Sequence, residues 1–104
     1  MTKPPVETKL MNKALDYLGR YNTSEHRLRE VLRRFALRRL HKHNPDKIAK
    51  AISATVTRCQ KLGYLDDDAF AKSQARNHRL QGRSKIGIRQ RLRQHGLDDN
   101  IINV

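Results

Sequence analysis

Apolar residues recur along this chain at helical rather than strand spacing, in stripes separated by short polar or glycine-containing breaks. From Lys9 to Tyr21, the residues Met11, Ala14, Leu15, Leu18 and Tyr21 fall on one face, as in an amphipathic helix. Asn22-Thr23-Ser24 interrupts that stripe, and Thr23 or Ser24 offers a side-chain oxygen to cap a second helix. The second helix turns Leu28, Val31, Leu32 and Phe35 inward and runs on through Leu37 and Leu40. Asn44-Pro45-Asp46 is a restart, with a cap residue, a proline suited to the first helical position, and an acid. The third helix places Ile48, Ala51, Ile52, Thr55, Val56, Cys59 and Leu62 on one face, and Gly63 ends it.

Beyond Gly63 the pattern starts again. Asp66 or Asp67 caps a fourth helix that buries Phe70, Ala71 and Ala75, and Gly82 stops it. Ser84 caps a fifth helix with Ile88 and Leu92 inward, closed by Gly96. Leu97-Asp98-Asp99 then begins a sixth through Ile101 and Ile102. Ser24, Leu28, Arg29, Leu32 and Arg33 reappear sixty positions later as Ser84, Ile88, Arg89, Leu92 and Arg93. That self-similarity marks a repeat of small helical units, each too small to bury its own face alone. The expected fold is all-α: tandem three-helix modules forming an elongated helical repeat. Residues 1–8 are expected to be a mobile tail, 9–65 the first module, and 66–104 a second, truncated one. Its last apolar residues, Ile101, Ile102 and Val104, are expected to fray or to pair outside the chain.

Charge narrows the class of partner. Lysine and arginine number 23 against 10 acids, a formal net charge of +13. Such an excess suits polyanions or an acidic protein groove. From 72 to 95 the chain carries Lys72, Arg76, Arg79, Arg83, Lys85, Arg89, Arg91 and Arg93 with no acid. In the first module, eight basic residues between Arg20 and Lys42 face only Glu25 and Glu30. Arginine predominates, and its planar fork binds carboxylates or phosphates in pairs.

Other chemistry is thinly represented. Asp66, Asp67 and Asp68 read as first-turn capping acids rather than metal ligands, since no EF-hand spacing accompanies them. His41 and His43 lack a cysteine pair at zinc-finger spacing, and Cys59 lies on an apolar face as an inert thiol. Tyr17, Tyr21, Tyr64, Phe35 and Phe70 read as packing residues rather than base-stacking platforms. No paired catalytic carboxylates, activated nucleophile or glycine-rich phosphate loop is present, so an enzyme is not expected, nor a cofactor. One cysteine excludes an internal disulfide framework and fits a reducing compartment. No apolar run approaches the roughly 20 residues that span a bilayer, and the N-terminus lacks a secretion signal. A cytoplasmic monomer with no membrane contact is expected.

The block Gly63-Tyr64-Leu65-Asp66-Asp67, followed by Phe70-Ala71 and by Gly82, Ile88, Arg89, Leu92 and Gly96, resembles the RecX family, regulators of bacterial RecA recombinase. Ala14-Leu15 with Leu18, then Ser24, Leu28 and Leu32, are similar to the preceding module, so the resemblance covers about residues 13–100. Arg27 and Gly87 stand where the family usually has an acid, and the stretch from Phe35 to Asn44 is longer and more basic than its usual turn. The resemblance implies a rod lying along the groove of the RecA–DNA filament, suppressing ATP hydrolysis, strand exchange and coprotease activity without chemistry of its own. Arg29, Arg33, Arg89 and Arg93 are the leading candidate contacts, with Arg76, Arg83 and Arg91 next. The alternative is a basic helical module that binds DNA directly through phosphates; weak, largely nonspecific DNA affinity is expected in either case.

Overall fold

The structure is a computed structural model and describes residues 5–102. Among them it contains helices and no strand: α1 (Val6–Arg20), α2 (Glu25–Arg39), α3 (Pro45–Lys61), α4 (Asp67–Leu80), α5 (Lys85–Gln94) and α6 (Asp99–Ile102). The molecule measures 54 × 22 × 21 Å, with a radius of gyration of 15.7 Å. A compact chain of this length would have about 13 Å, so the all-α repeat is elongated.

The buried residues form two clusters. The first joins Leu10 and Ala14 of α1, Leu28 and Leu32 of α2, and Ile52, Val56 and Cys59 of α3, with Leu65 at its edge. The second joins Phe70, Ala71 and Ala75 of α4, Ile88 and Leu92 of α5, and Leu97 and Ile102. Ile102 is buried, which corrects the expectation that it frays: it closes the open side of α4 and α5. Val104 lies outside the described residues.

Helix α1 begins ahead of the expected Lys9. Val6, Leu10 and Ala14 stand four residues apart and bury one stripe, so residues 6–8 belong to the helix rather than to a tail. Residues 1–4 of that tail lie outside the described residues. Leu15 and Tyr21 are exposed instead of core-facing: Leu15 lies one position off the Leu10–Ala14 stripe, and Tyr21 follows the last helical residue. Helix α2 continues to Arg39, so the link to α3 is only Leu40–Asn44 rather than a long basic stretch. Leu40 is buried, but Leu37 is 75% exposed, one position off the stripe made by Leu32, Ala36 and Leu40. Leu62 is exposed as well, beyond the last turn of α3.

Local chemistry accounts for the helix limits. Asn44 Oδ1 accepts from the amides of Asp46 and Lys47, Asp66 Oδ1 from Ala69, and Ser84 Oγ from Gly87. Gly63 follows α3 with φ +78°, and Tyr64 N donates to Cys59 O at 2.9 Å, a left-handed stop that satisfies an end carbonyl.

The two clusters meet at the N-terminus of α2. Buried Ser24 caps that helix by accepting from Arg27 N, and its hydroxyl donates to His95 O at 2.7 Å across the joint. Glu25 N donates to Asp67 Oδ1 at 2.8 Å. The free amides of α2 are thus capped once by its own serine and once by a carboxylate of the next unit. Phe70 packs edge-on against the His95 ring, centroids 5.1 Å apart.

Candidate partner-binding surface

The capped helices α2 and α5 set the directions of the arginines. Arg29 is half-buried, and its guanidinium is already committed: Nε and Nη2 donate to Glu25 Oε1 at 3.1 and 3.0 Å, and Nη1 to Ser53 Oγ at 3.2 Å. It ties α2 to α3. Arg93 reaches Asp99 Oδ1 at 3.3 Å, an exposed pair that contributes little. Arg83 holds His78 Nδ1 at 2.7 Å. Arg33, Arg76, Arg89 and Arg91 are exposed and make no hydrogen bond or ion pair among the described residues. So of the four leading candidates, Arg33 and Arg89 present free forks and Arg29 and Arg93 do not.

Three depressions collect these side chains. Arg29 and Arg33 rim a groove of about 400 Å³ between α2 and α3, with Ala36, Leu37, Ile48 and Ile52 among its walls. Arg76 and Arg79 share a shallow hollow on α4 with Lys72 and exposed Leu80. Arg89 borders a small pocket of about 60 Å³ with Arg79, Lys85, Ile88 and Ile102. The Arg29–Arg33 pair and the Arg89–Arg93 pair lie on helices of different clusters, and no hydrogen bond or ion pair among the described residues joins them.

Two of the aromatic residues expected to pack at the core or the joint are on the surface. Tyr64 is 55% exposed and Tyr21 56% exposed. Tyr21 lies 4.9 Å from Tyr17, ring to ring, in a hollow bordered by Lys13, Arg34, Arg38 and the Arg20–Asp16 ion pair. Periodicity assigned Tyr21 inward because it matched the α1 stripe, but it is the C-cap residue with extended backbone, where helical phase no longer applies.

Titratable groups with chemical potential are held in structural roles. Cys59 is fully buried, and desolvation pushes its thiol up from the ordinary value. Asp67 is likewise raised, first by burial, opposed by the hydrogen bond from Glu25. Among the described residues no group of three or more His, Cys, Asp or Glu side chains could hold a metal ion, and no helix is long and apolar enough to cross a membrane.

His95 makes the joint pH-sensitive. Its Nδ1 is buried without a hydrogen-bond partner, and burial first, then the charges of Arg27 and His78, lower its pKa from the ordinary 6.5. The native state favours the neutral ring, so the unfolded chain binds more protons as pH falls below 6.5. Stability is therefore full above that value and is lost on acidification through the lowered one. Urea midpoints should fall between about pH 7.5 and about pH 5.5, with a shallower fall in His95→Gln. Equal falls in both proteins would exclude His95 as the cause.

Residues 66–103 match the sequence profile described as RecX, second three-helix domain. The chain is 33% identical over 97 residues to the Regulatory protein RecX of Myxococcus xanthus strain DK1622, covering 91% of this chain and 52% of that relative. It is 40% identical over 53 residues to the Regulatory protein RecX of Vibrio campbellii strain ATCC BAA-1116, covering 51% of this chain and 34% of the relative. The chain therefore spans about half the length of the first relative and a smaller part of the second. No solved structure matches it.

Proposed function

The chain belongs to the RecX family, and we propose that it regulates RecA recombinase by docking along the RecA–DNA filament groove. There it suppresses ATP hydrolysis, strand exchange and coprotease activity. The observation that carries this reading is the placement of free arginine forks, Arg33 and Arg89, on the two serine-capped helices that repeat at sixty-residue spacing. An elongated rod with a cation on each unit suits a periodic acidic surface better than a single pocket does. No bond-making step is assigned to any side chain. The regulator works by occupancy and electrostatic contact, as one would expect of a cytoplasmic monomer with a nucleoprotein partner.

The test is RecA ATP hydrolysis on excess single-stranded DNA, titrated with this chain. Inhibition near stoichiometric protein, undiminished by further DNA, is the expected result. In the double variant Arg89→Glu/Arg93→Glu the half-inhibitory concentration should rise about tenfold or more, by loss of complementary charge. Both positions are exposed, so helicity by circular dichroism should not change. Unchanged inhibition by the double variant would remove this stripe from the mechanism.

A second reading is favoured by Tyr21, whose exposed ring stands beside Tyr17 near Lys13, Arg34 and Arg38, with Arg20 paired to Asp16. In it the chain binds DNA directly, with phosphates on those cations and a base against the ring. Inhibition that vanishes as DNA is added, with a salt slope of about −0.9 per phosphate neutralised, would select this reading.

A further inference from the structure

We propose that the groove between α2 and α3 is a docking site for an acidic amphipathic segment of a partner protein. One carboxylate of that segment would pair with Arg33, and one large aliphatic or aromatic side chain would seat against Leu37, Pro45 and Ile48. This deepens the filament-docking reading by naming the protein chemistry that the first unit receives, and it can be tested without the recombinase.

The groove is built from an ordered cationic end and an apolar end. Arg29, Arg33 and Leu37 follow one another at four-residue intervals on α2, about 6 Å apart along the axis. Arg29 is locked onto Glu25 and Ser53 through three of its five N–H donors, so it ties α2 to α3 at one end. Arg33, one turn on, is the cation left for a partner. Another turn brings Leu37, which is 75% exposed although the α2 stripe is buried on either side of it at Ala36 and Leu40. The opposing wall on α3 is Pro45, Ile48, Ala49 and Ile52, which carries no charge at all.

That asymmetry decides the chemistry of the occupant. A nucleic-acid strand needs a row of cations and would leave phosphates against an uncharged wall. An acidic helix with apolar residues one turn from its carboxylate satisfies both ends at once, in the helix-in-groove mode. The span from Arg29 to Leu37 is about 12 Å, two helical turns. Ala36 and Ala49, small residues on facing helices, leave the room that a partner side chain would fill. The corresponding place in the second unit is only about 60 Å³, with Ile102 among its lining residues, so the groove is particular to α2 and α3.

The experiment uses the full chain and a short fluorescein-labelled helical peptide bearing leucine and phenylalanine four residues apart and flanking glutamates. A scrambled peptide of the same composition and an oligothymidylate serve as competitors. Anisotropy should show binding of the patterned peptide, and methyl resonances of Leu37, Ile48 and Ile52 should move. Leu37→Ser and Arg33→Gln should each weaken binding about tenfold or more, as loss of one seated aliphatic contact or one charge pair requires. Both sites are exposed, so the variants should keep wild-type circular dichroism. Equal binding of the scrambled peptide, displacement by oligothymidylate, or no effect of Leu37→Ser would overturn the groove. Peptide binding without any effect on recombinase would sustain the groove and remove the filament reading. Inhibition without peptide binding would do the reverse.

Discussion

Phe70→Ala is expected to unfold α4–α6 while α1–α3 remain helical. Phe70 is 2% exposed and is the largest side chain of the second cluster, which otherwise rests on small alanines and four aliphatic residues. Truncating a buried phenylalanine costs about 3–5 kcal/mol, transfer and cavity together. A unit this small has little more than that in reserve, because small domains hide a lower fraction of their surface. The ring also packs on His95, so its loss loosens the joint. The first unit would lose the Asp67 cap on Glu25 N, worth about 1 kcal/mol, but none of its own core. Residue-resolved hydrogen exchange is the measurement. Protection should collapse across α4 and α5 and persist in α1 and α3. A uniform loss across all helices would mean that the two clusters fold as one cooperative body.

Gly96→Ala is expected to cost about 2 kcal/mol more than Gly63→Ala or Gly82→Ala. The three glycines have nearly equal positive φ, +72°, +78° and +77°, so the left-handed backbone penalty, about 1–2 kcal/mol for an L side chain, is common to all. A Cβ at Gly63 or Gly82 meets nothing, whereas one at Gly96 would overlap the Cβ and ring carbons of His26. His26 stands in the first turn of α2, so relieving the overlap forces the two units apart and strains the Ser24–His95 and Glu25–Asp67 hydrogen bonds. His26→Ala in the Gly96→Ala background should recover only the share due to the ring, since the Cβ overlap stays. Chemical denaturation of the three glycine variants and the double variant measures this. Equal losses at all three glycines would show that the close approach at the joint carries no energy.

Much of the fold was legible because helix limits are written in local chemistry. Ser24, Asn44, Asp66 and Ser84 cap where their oxygens can reach free amides two or three residues on, and that requires no knowledge of the rest of the chain. The sixty-residue repeat was legible for the same reason: it recurs in residue identity. The candidate surface was legible only as a list of arginines. Arg29 and Arg33 are equivalent in sequence terms, yet one is consumed by Glu25 and Ser53 and the other is free. Leu37 gave a faint signal, a large apolar residue one step off its stripe, but the pattern showed only that the helix runs through it and not which way it faces.

From the sequence alone came the all-α class, the helix caps and stops, the tandem repeat, the positive charge and the family resemblance. Each depends on neighbours within a few residues or on identities compared along the chain. Only the tertiary structure decided that α1 begins at Val6, that Tyr21 and Leu37 face outward, that Arg29 is spent as a strut, and that Ser24, Asp67, His95 and Gly96 form one joint. Those outcomes depend on groups as far apart as Ser24 and His95 reaching hydrogen-bond distance. Packing sets that distance, and no local pattern of hydrophobic and polar residues encodes it.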